Sequence, residues 1–395
     1  MAFAATLARR LEAARPPSLW TAMLAIGACH GAYVLLTGVA LGSDSVAYAY
    51  WSARLVESGF DYPTLVAEAK SSFPPLLYAL FATLLALLRL AFGSGWQVAL
   101  VALNFAAHVV LGALVVRMAI RLTGSAAAGW GALLLYLACF DLLVWVPFVL
   151  SDATFVFLAF AIFTLAAARI LGDSSGWLPV LGPAVAGIFY RPTGIVLVPD
   201  LAWAIYLARA KRAKLRPGAA LAAFAAAAVA SAFAFGWFMQ DPARWPFEAL
   251  GAPFRETAAS YAFGEVVSAR PETFHAPPLQ LGDFVLISAD RFLHFFAVDA
   301  ARFSRGHMLA ELTFFLPCYA LAAWLAVALF RGRTAFAAPE RKVFLAAFGA
   351  FFSYALFHGL VQVDFDWRYR TPVLPHLILL AAGGLADLGR RRAAR

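Results

Sequence analysis

Two carboxylates stand beside long apolar segments, in positions where they could do chemistry at a membrane surface. Asp44 follows the apolar stretch 19–41, and Asp152 opens another stretch in the sequence LSDATFVF. If separate turns bring them together, they could hold a divalent cation such as Mg²⁺ or Mn²⁺, or one of them could act as a general base. Each is equally well placed to cap a helix, a role worth about 1 kcal/mol. The sequence leaves both interpretations open.

Three arginines stand at the ends of other apolar segments. Arg191 lies in FYRPTGIVLVP, between two stretches that are each short for a crossing, and Arg368 and Arg370 lie in DFDWRYRTPVLP. A guanidinium near hydrocarbon needs an anion, water or carbonyl oxygens as partners, and its planar fork can bind a phosphate with two hydrogen bonds. Arg191 is a candidate for binding an anion, and Arg368 and Arg370 concentrate charge at another segment boundary. The alternatives are interfacial snorkelling for Arg191 and a solvated, self-paired loop for the other two.

Further polar side chains lie near these charges or interrupt apolar segments. Tyr48, Asn104, His358 and Tyr369 are candidates for lining a cavity close to the charged residues. An isolated His or Asn inside a span more often bonds to a neighbouring helix. Asp200, which lies inside another apolar stretch, has no role that the pattern suggests.

A strongly hydrophobic chain carries these residues. Of its 395 residues, 63% are hydrophobic and 13% are charged, and the mean hydropathy is +0.78, whereas roughly 25% of the residues in a soluble domain are charged. Apolar runs long enough to cross about 30 Å of hydrocarbon recur along the chain. The composition therefore predicts an all-α polytopic membrane protein. The net charge of +9 needs no nucleic-acid partner, because loops on the cytoplasmic side of membranes collect Lys and Arg.

The basic residues indicate how the apolar stretches cross. Eleven stretches can be counted: 19–41, 73–92, 96–116, 126–148, 152–170, 177–189, 194–208, 218–238, 308–330, 343–361 and 372–388. If 73–92 lies along the outer surface, the other ten cross, both termini are cytoplasmic, and the clusters of Lys and Arg fall on one side, as the positive-inside rule requires. A second arrangement keeps 73–92 as a span and merges 177–208 into one crossing, but it places several arginines outside.

This topology divides the chain into four parts. Residues 1–17 form a cytoplasmic amphipathic segment, 18–238 a transmembrane module with the outer loop 42–95, 239–307 an outer-face loop segment, and 308–395 the C-terminal transmembrane helices. In the outer loop, Val46, Tyr50 and Ala53 recur near helical spacing. We therefore predict an amphipathic, juxtamembrane helix that lies in the interface plane and begins next to Asp44.

Four short motifs resemble those of a family of membrane enzymes. An Asp after the first span, a YA-containing surface helix and PPLLYALFATLLALL are similar to the first outer loop of the lipid-dependent C-type (GT-C) glycosyltransferases, among them protein O-mannosyltransferases and aminoarabinose transferases. FVLSDATFVFLAFAIF is similar to their second acidic turn, YRPTGIVLVP to their Arg/Lys-Pro turn, and RYRTPVLPHLILLAAGGL to a late RY-x-x-P-x-x-P span. The resemblance covers most of 18–210 and 360–390. Ser45 departs from it, since several families have a second acid there.

The resemblance implies a GT-C fold and a mechanism. A sugar on a polyprenyl phosphate lies in the outer leaflet of a bacterial-type inner membrane, and a glycan, lipid or protein acceptor enters from the aqueous side. Asp44 is the implied general base, with Asp152 as a second acid and both as ligands if a divalent cation takes part. Arg191, Arg368 and Arg370 meet the charge of the leaving phosphate.

The rival prediction from another class is a membrane transporter, or a flippase for lipids or glycans. Such proteins favour charged or broken helices at the bilayer midplane and internal repeats. No repeat is evident in the sequence, and the acidic residues cluster at segment boundaries instead. The sequence therefore favours an enzyme that works at the membrane interface.

Overall fold

The fold is known from a computed structural model, which describes residues 15–68, 75–173, 176–210, 281–298, 303–361 and 367–393. Over these ranges the chain is helical, and they contain no β-strand beyond one isolated bridge between Ala40 and Phe148. The predicted crossing 218–238, most of the amino-terminal segment 1–17 and most of the segment 239–307 lie outside the described residues.

The helices are numbered in chain order over the described residues. They are α1 (Leu19–Thr37), α2 (Ser43–Glu57), α3 (Tyr62–Glu68), α4 (Ala79–Phe92), α5 (Trp96–Thr123), α6 (Ala126–Ala138), α7 (Phe140–Leu143), α8 (Asp152–Leu171), α9 (Leu178–Ile188), α10 (Leu197–Arg209), α11 (Leu281–His294), α12 (Arg305–Phe330), α13 (Ala338–Val361) and α14 (Leu374–Ala393). Short 3-10 turns at Pro192–Val196 and Trp367–Val373 precede α10 and α14.

Six helical runs in the described chain are long and apolar enough to cross a membrane. They are Leu19–Thr37, Ala79–Thr123, Asp152–Leu171, Arg305–Phe330, Ala338–Gly359 and Arg368–Ala393. The prediction of an all-helical, multi-pass membrane protein is therefore confirmed. The finer prediction of ten crossings depends in addition on α6, α9 and α10, which have 13, 11 and 13 residues, and on the stretch 218–238.

The predicted stretch 126–148 is not one continuous helix. α6 ends at Ala138, Cys139 leaves the helical conformation with φ −80° and ψ 88°, and after the four residues of α7 the chain runs as a loop towards α8. Pro147 has no N–H to continue a helix and disfavours the helical conformation of the residue before it. The loop pairs instead with the end of α1, because Ala40 donates its N–H to the Pro147 carbonyl at 3.0 Å.

One end of the bundle gathers basic residues. There the Trp130 indole donates a hydrogen bond of 3.0 Å to the carbonyl of Arg15, just before α1, and the Arg390 guanidinium of α14 contacts the carbonyl of Thr123 at the end of α5. The start of α1 and the ends of α5 and α14 therefore share this basic end. The prediction that the cytoplasmic side holds the clusters of Lys and Arg depends on these helix ends lying together.

α4 keeps both of its ends at the opposite end of the bundle. Near its start, Leu80 donates its N–H to the carbonyl of Phe189, in the turn after α9, at 3.0 Å. Near its end, the Arg89 guanidinium donates to the Ala49 carbonyl at 3.0 Å and to the Ser52 hydroxyl at 2.8 Å, both on α2. These contacts are what we expect of a helix that lies beside α2 without crossing to the basic end.

Single-cysteine labelling tests which end faces outward. In a background in which Cys29, Cys139 and Cys318 are replaced, we expect Glu57→Cys, on α2, to react with a membrane-impermeant maleimide in intact cells. Arg331→Cys, at the end of α12, should react only after the cells are permeabilised, because it belongs to the basic end. Labelling of the Arg331→Cys variant in intact cells would reverse the predicted orientation.

Candidate functional site

α2 presents Asp44 in its first turn. The N-cap residue is Gly42 rather than Asp44, so the N-cap interpretation of Asp44 is wrong. The cap hydrogen bond comes from Ser45, whose hydroxyl accepts the Gly42 N–H at 2.8 Å. An acid in the first turn is favoured by the partial positive charge at a helix N-terminus. Since the Asp44 side chain is 30% exposed, a solute can reach it.

A clasp joins the start of α2 to the loop before α8. The buried Ser45 hydroxyl donates to the Val149 carbonyl at 2.9 Å. From α5, the Asn104 amide donates to the carbonyls of Phe148 and Val146 at 3.1 and 3.3 Å. Asn104, predicted as a candidate for lining a cavity, therefore anchors this loop. The clasp fixes the first turn of α2 relative to the turn that carries the second carboxylate.

Removing the Ser45 hydroxyl should loosen the clasp. Because Ser45→Ala leaves the Gly42 N–H and the Val149 carbonyl without their partner, we expect a loss of about 1–3 kcal/mol in the free energy of unfolding. Ser43→Ala is the matched control, since Ser43 is exposed and its hydroxyl only reaches its neighbour Asp44, at 3.3 Å. Thermal unfolding of both variants in detergent measures the difference, and equal stability of the two would contradict this role for Ser45.

Asp152 is the first residue of α8 and is almost completely buried, with 2% of its side chain exposed. Its carboxylate contacts the guanidinium of Arg191, which is 6% exposed. Burial disfavours the charged guanidinium, but the interactions that favour it, the largest of them with the Asp152 carboxylate, together place the pKa of Arg191 above its ordinary value. Asp152 and Arg191 therefore form a buried ion pair.

A tight turn delivers Arg191 to this position. A Cβ atom added at Gly194 would lie 2.0 Å from the carbonyl oxygen of Gly187, so only glycine allows the chain to fold back this closely. The turn is also tied to α8, because the hydroxyl groups of Tyr190 and Thr154 lie 2.6 Å apart and share a hydrogen bond. The Arg-Pro motif of the sequence is therefore a rigid corner that packs against α8.

Arg368 connects the two carboxylates. Its Nη1 lies 3.1 Å from Oδ2 of Asp44, and its Nε lies 3.9 Å from Oδ1 of Asp152. The guanidinium carbon lies over the rings of Trp145 and Tyr369, 5.9 and 5.6 Å from their centroids, within range of cation–π attraction. Asp44, Asp152, Arg191 and Arg368, named here the Asp44 cluster, thus come together from four separate segments. Trp145 was not singled out from the sequence.

Tyr48 and its neighbours form an aromatic wall beside the Asp44 cluster. Its ring centroid lies 5.2 Å from that of Tyr78 and 4.9 Å from that of Phe81, which it meets edge-on. The phenol is buried, and Ser151, the N-cap residue of α8, is one of the polar residues that act on it. Burial raises the pKa of Tyr48 above its ordinary value, so the side chain stays neutral and contributes shape rather than charge.

Tyr369 and His358 form a second group of rings next to the Asp44 cluster. The Tyr369 ring lies 5.9 Å from the ring of His358, which is itself buried 5.7 Å from the ring of Phe295. Tyr369 therefore stands between Arg368 and a packed histidine. The two residues were predicted as cavity candidates, and the structure places Tyr369 nearer to the Asp44 cluster.

Arg370 belongs to a different charged group. Its Nε and Nη2 both lie 2.9 Å from Oδ2 of Asp141, and its Nη2 also contacts Glu311 of α12. Oε1 of Glu311 lies 3.7 Å from Nε2 of His307. Arg370, Asp141, Glu311 and the partly exposed His307 are named here the Arg370 cluster, which keeps Arg370 away from the other two arginines. Glu311 was not singled out from the sequence, although a lone Glu in an apolar stretch is a signal of function or pairing.

Neither cluster fits a divalent cation well. In the Asp44 cluster, a cation shared by Asp44 and Asp152 would have to displace Arg368 from both carboxylates. Ser45 offers no ligand, because its hydroxyl is used in the clasp. In the Arg370 cluster, the candidate ligand atoms of Asp141, His307 and Glu311 lie within 4.8 Å of one another. The Arg370 guanidinium already contacts the carboxylates of Asp141 and Glu311. Its positive charge would repel a metal cation bound at the same place.

Comparison of the chain with protein-family models, with curated proteins and with solved structures finds no match. The class of the protein, an all-helical multi-pass membrane protein, rests on its helices. What it does must be argued from the Asp44 cluster.

Proposed function

We propose that this protein is a GT-C type glycosyltransferase that moves a sugar from a polyprenyl phosphate to an acceptor hydroxyl. The observation that supports this proposal is the Asp44 cluster. It holds one carboxylate that solutes can reach, one buried carboxylate and two guanidinium groups, all at the end of the bundle opposite the basic end. A base next to a binding group for an anion is what transfer from a phosphate-linked donor needs.

Exposure separates the roles of the two carboxylates. Asp44 is 30% exposed, whereas Asp152 is 2% exposed and engaged with Arg191. In the proposed reaction the acceptor oxygen attacks the anomeric carbon while the bond from that carbon to the phosphate oxygen breaks. The electron pair of that bond leaves with the phosphate, and the proton of the acceptor hydroxyl passes to Asp44. Asp152 positions Arg191 and Arg368.

Of the three predicted phosphate ligands, Arg368 is the best supported. Its side chain is 14% exposed, against 6% for Arg191 and 3% for Arg370, and it adjoins the proposed base. A charge-assisted hydrogen bond from Arg368 would stabilise the negative charge that grows on the leaving phosphate. Arg191 would act through Asp152. The mechanism that we propose uses no metal ion.

The location of the Asp44 cluster suits a lipid-linked donor. Asp44 stands on α2, whose residues Val46 and Tyr50 are exposed while Tyr48 and Trp51 are buried, as expected for a helix that lies in the membrane interface. A sugar on a polyprenyl phosphate lies at this depth. We propose a bacterial-type inner membrane with both termini in the cytoplasm, the cluster on the outer face, and a glycan, lipid or protein as acceptor.

The Arg370 cluster is the observation that favours a transporter or flippase as the second candidate. Buried charges within membrane helices often mark transport pathways. The two candidates differ in the fate of the donor, because a transferase consumes polyprenyl phosphate sugar and releases polyprenyl phosphate, whereas a flippase leaves the donor intact. Chromatography of the lipids after incubation with purified protein distinguishes them.

Binding of the leaving group tests the proposal directly. Undecaprenyl phosphate is a suitable ligand, because it carries the phosphate without any particular sugar. We expect Arg368→Ala to weaken its binding by about ten- to a hundred-and-fifty-fold, the loss of one charge-assisted hydrogen bond, and Arg368→Lys to recover part of it, since Lys keeps the charge but not the planar fork.

Arg54→Ala is the matched control, because Arg54 lies on α2 and pairs with Glu57, with the two side chains 35% and 62% exposed. Its binding of undecaprenyl phosphate, measured by calorimetry or native mass spectrometry, should equal that of the parent. If Arg368→Ala also binds as the parent does, Arg368 is not the phosphate ligand and the proposed donor site is wrong.

A further inference from the structure

A groove of about 370 Å³ opens between α1 and α5 at the basic end of the bundle. Five apolar residues and two arginines line it: Pro17, Leu19, Ala113, Val116, Ile120, Arg117 and Arg121. It lies at the end of the bundle opposite the Asp44 cluster, so it is not part of the proposed catalytic site.

The groove places two arginines beside apolar side chains. Ala113, Arg117 and Arg121 are four residues apart on α5, so they form one stripe along the helix, about 12 Å from first to last. Because Arg121 lies in the last turn of α5, the groove opens at the basic end of the bundle, where Leu19 forms its exposed apolar edge, and the buried Ala113 and Val116 close it on the inner side. A molecule that fills the groove must have a charged head and an apolar tail.

The charge of the groove is positive on balance. Arg121 contacts the carboxylate of Asp173, and both side chains are about 40% exposed. Arg117 is exposed, and within the described ranges no acidic side chain pairs with it. One guanidinium is therefore available for an anion from outside the chain, with a second one a single helical turn away.

We infer that this groove binds an anionic phospholipid of the leaflet at the basic end. The headgroup phosphate lies between Arg117 and Arg121, and an acyl chain lies against Ile120 and the exposed Leu19. Two arginines in one helical stripe offer a phosphate paired, charge-assisted hydrogen bonds, and basic pockets between transmembrane helices are suited to anionic headgroups. The inference is independent of the proposed glycosyl transfer.

Native mass spectrometry of the purified, delipidated protein tests it, with phosphatidylglycerol and phosphatidylcholine as the added lipids. We expect phosphatidylglycerol to bind in preference. Each arginine near a membrane surface adds about fivefold to such binding, so Arg117→Gln should weaken phosphatidylglycerol binding by about fivefold, and the double variant with Arg121→Gln by about thirtyfold. Arg331→Gln, an exposed arginine at the same end but outside the groove, should change nothing. Equal binding of the two lipids, or an unaltered double variant, would overturn the inference.

Cross-linking identifies the occupant in the membrane itself. With the photoreactive amino acid p-benzoylphenylalanine in place of Leu19, which is exposed at the edge of the groove, irradiation should attach a phospholipid to the protein. A cross-link to residues 1–14 of the same chain instead would show that the amino-terminal segment fills the groove, and the lipid inference would be wrong.

Discussion

Replacing Asp44 by Asn should abolish sugar transfer while the protein remains folded and inserted. Asn keeps the size of the side chain and its place in the first turn of α2, and it can still accept a hydrogen bond from Arg368, but it cannot take up a proton. Loss of a general base slows a reaction by roughly 10²–10⁴-fold. Release of polyprenyl phosphate from a panel of synthetic polyprenyl phosphate sugars, with membranes of the native host as the source of acceptor, measures the rate.

Glu57→Gln provides the control for this experiment. Glu57 lies on the same helix and its side chain is exposed, but it contacts Arg54 rather than the Asp44 cluster. It should transfer sugar at the parent rate, and the thermal unfolding of both variants should match that of the parent. If Asp44→Asn retains full turnover, Asp44 is not the base. If it loses turnover only together with stability, its contact with Arg368 is structural.

The helices that carry the Asp44 cluster could be predicted because short stretches of sequence determine where they begin and end. Apolar length fixes the long helices, and Asp44, Asp152 and Arg191 stand where such segments end, so their meeting at one end of the bundle follows from topology alone. The end of helical structure after α7 also had a local signal, because Pro147 lies inside the stretch that was predicted to be continuous.

The partners of the arginines could not be predicted in this way. Arg368 and Arg370 are two residues apart in one motif, yet the first joins the Asp44 cluster and the second joins Asp141, 229 residues away in sequence. That difference is set by how the 3-10 turn before α14 packs against α8 and α12, and no spacing along the chain encodes it. Likewise, Ser45 could be recognised as a departure from an acid, but its use in the clasp depends on a loop about a hundred residues further on.

The structure also changes what is expected of Arg191. Since Arg191 is the buried partner of Asp152, Arg191→Ala should leave a buried carboxylate without its counter-charge and cost about 3–5 kcal/mol in the free energy of unfolding. Asp152→Asn in the same chain removes that charge, so the double variant should regain a large part of the lost stability. Denaturation in mixed SDS and detergent micelles measures both. Arg54→Ala, which breaks an exposed pair, should have little effect.

The double variant distinguishes this role from that of a phosphate ligand. If Arg191 binds the donor directly, as the sequence suggested, Arg191→Ala weakens the binding of undecaprenyl phosphate with little loss of stability, and Asp152→Asn restores nothing. If Arg191 acts through Asp152, the stability of Arg191→Ala is lower than that of the parent, and the double variant regains it. Such non-additive effects are expected in a double-mutant cycle for two residues in contact. Stability recovered without recovered turnover would further show that the charged Arg191–Asp152 pair is needed for turnover, so that the buried ion pair serves the reaction as well as the fold.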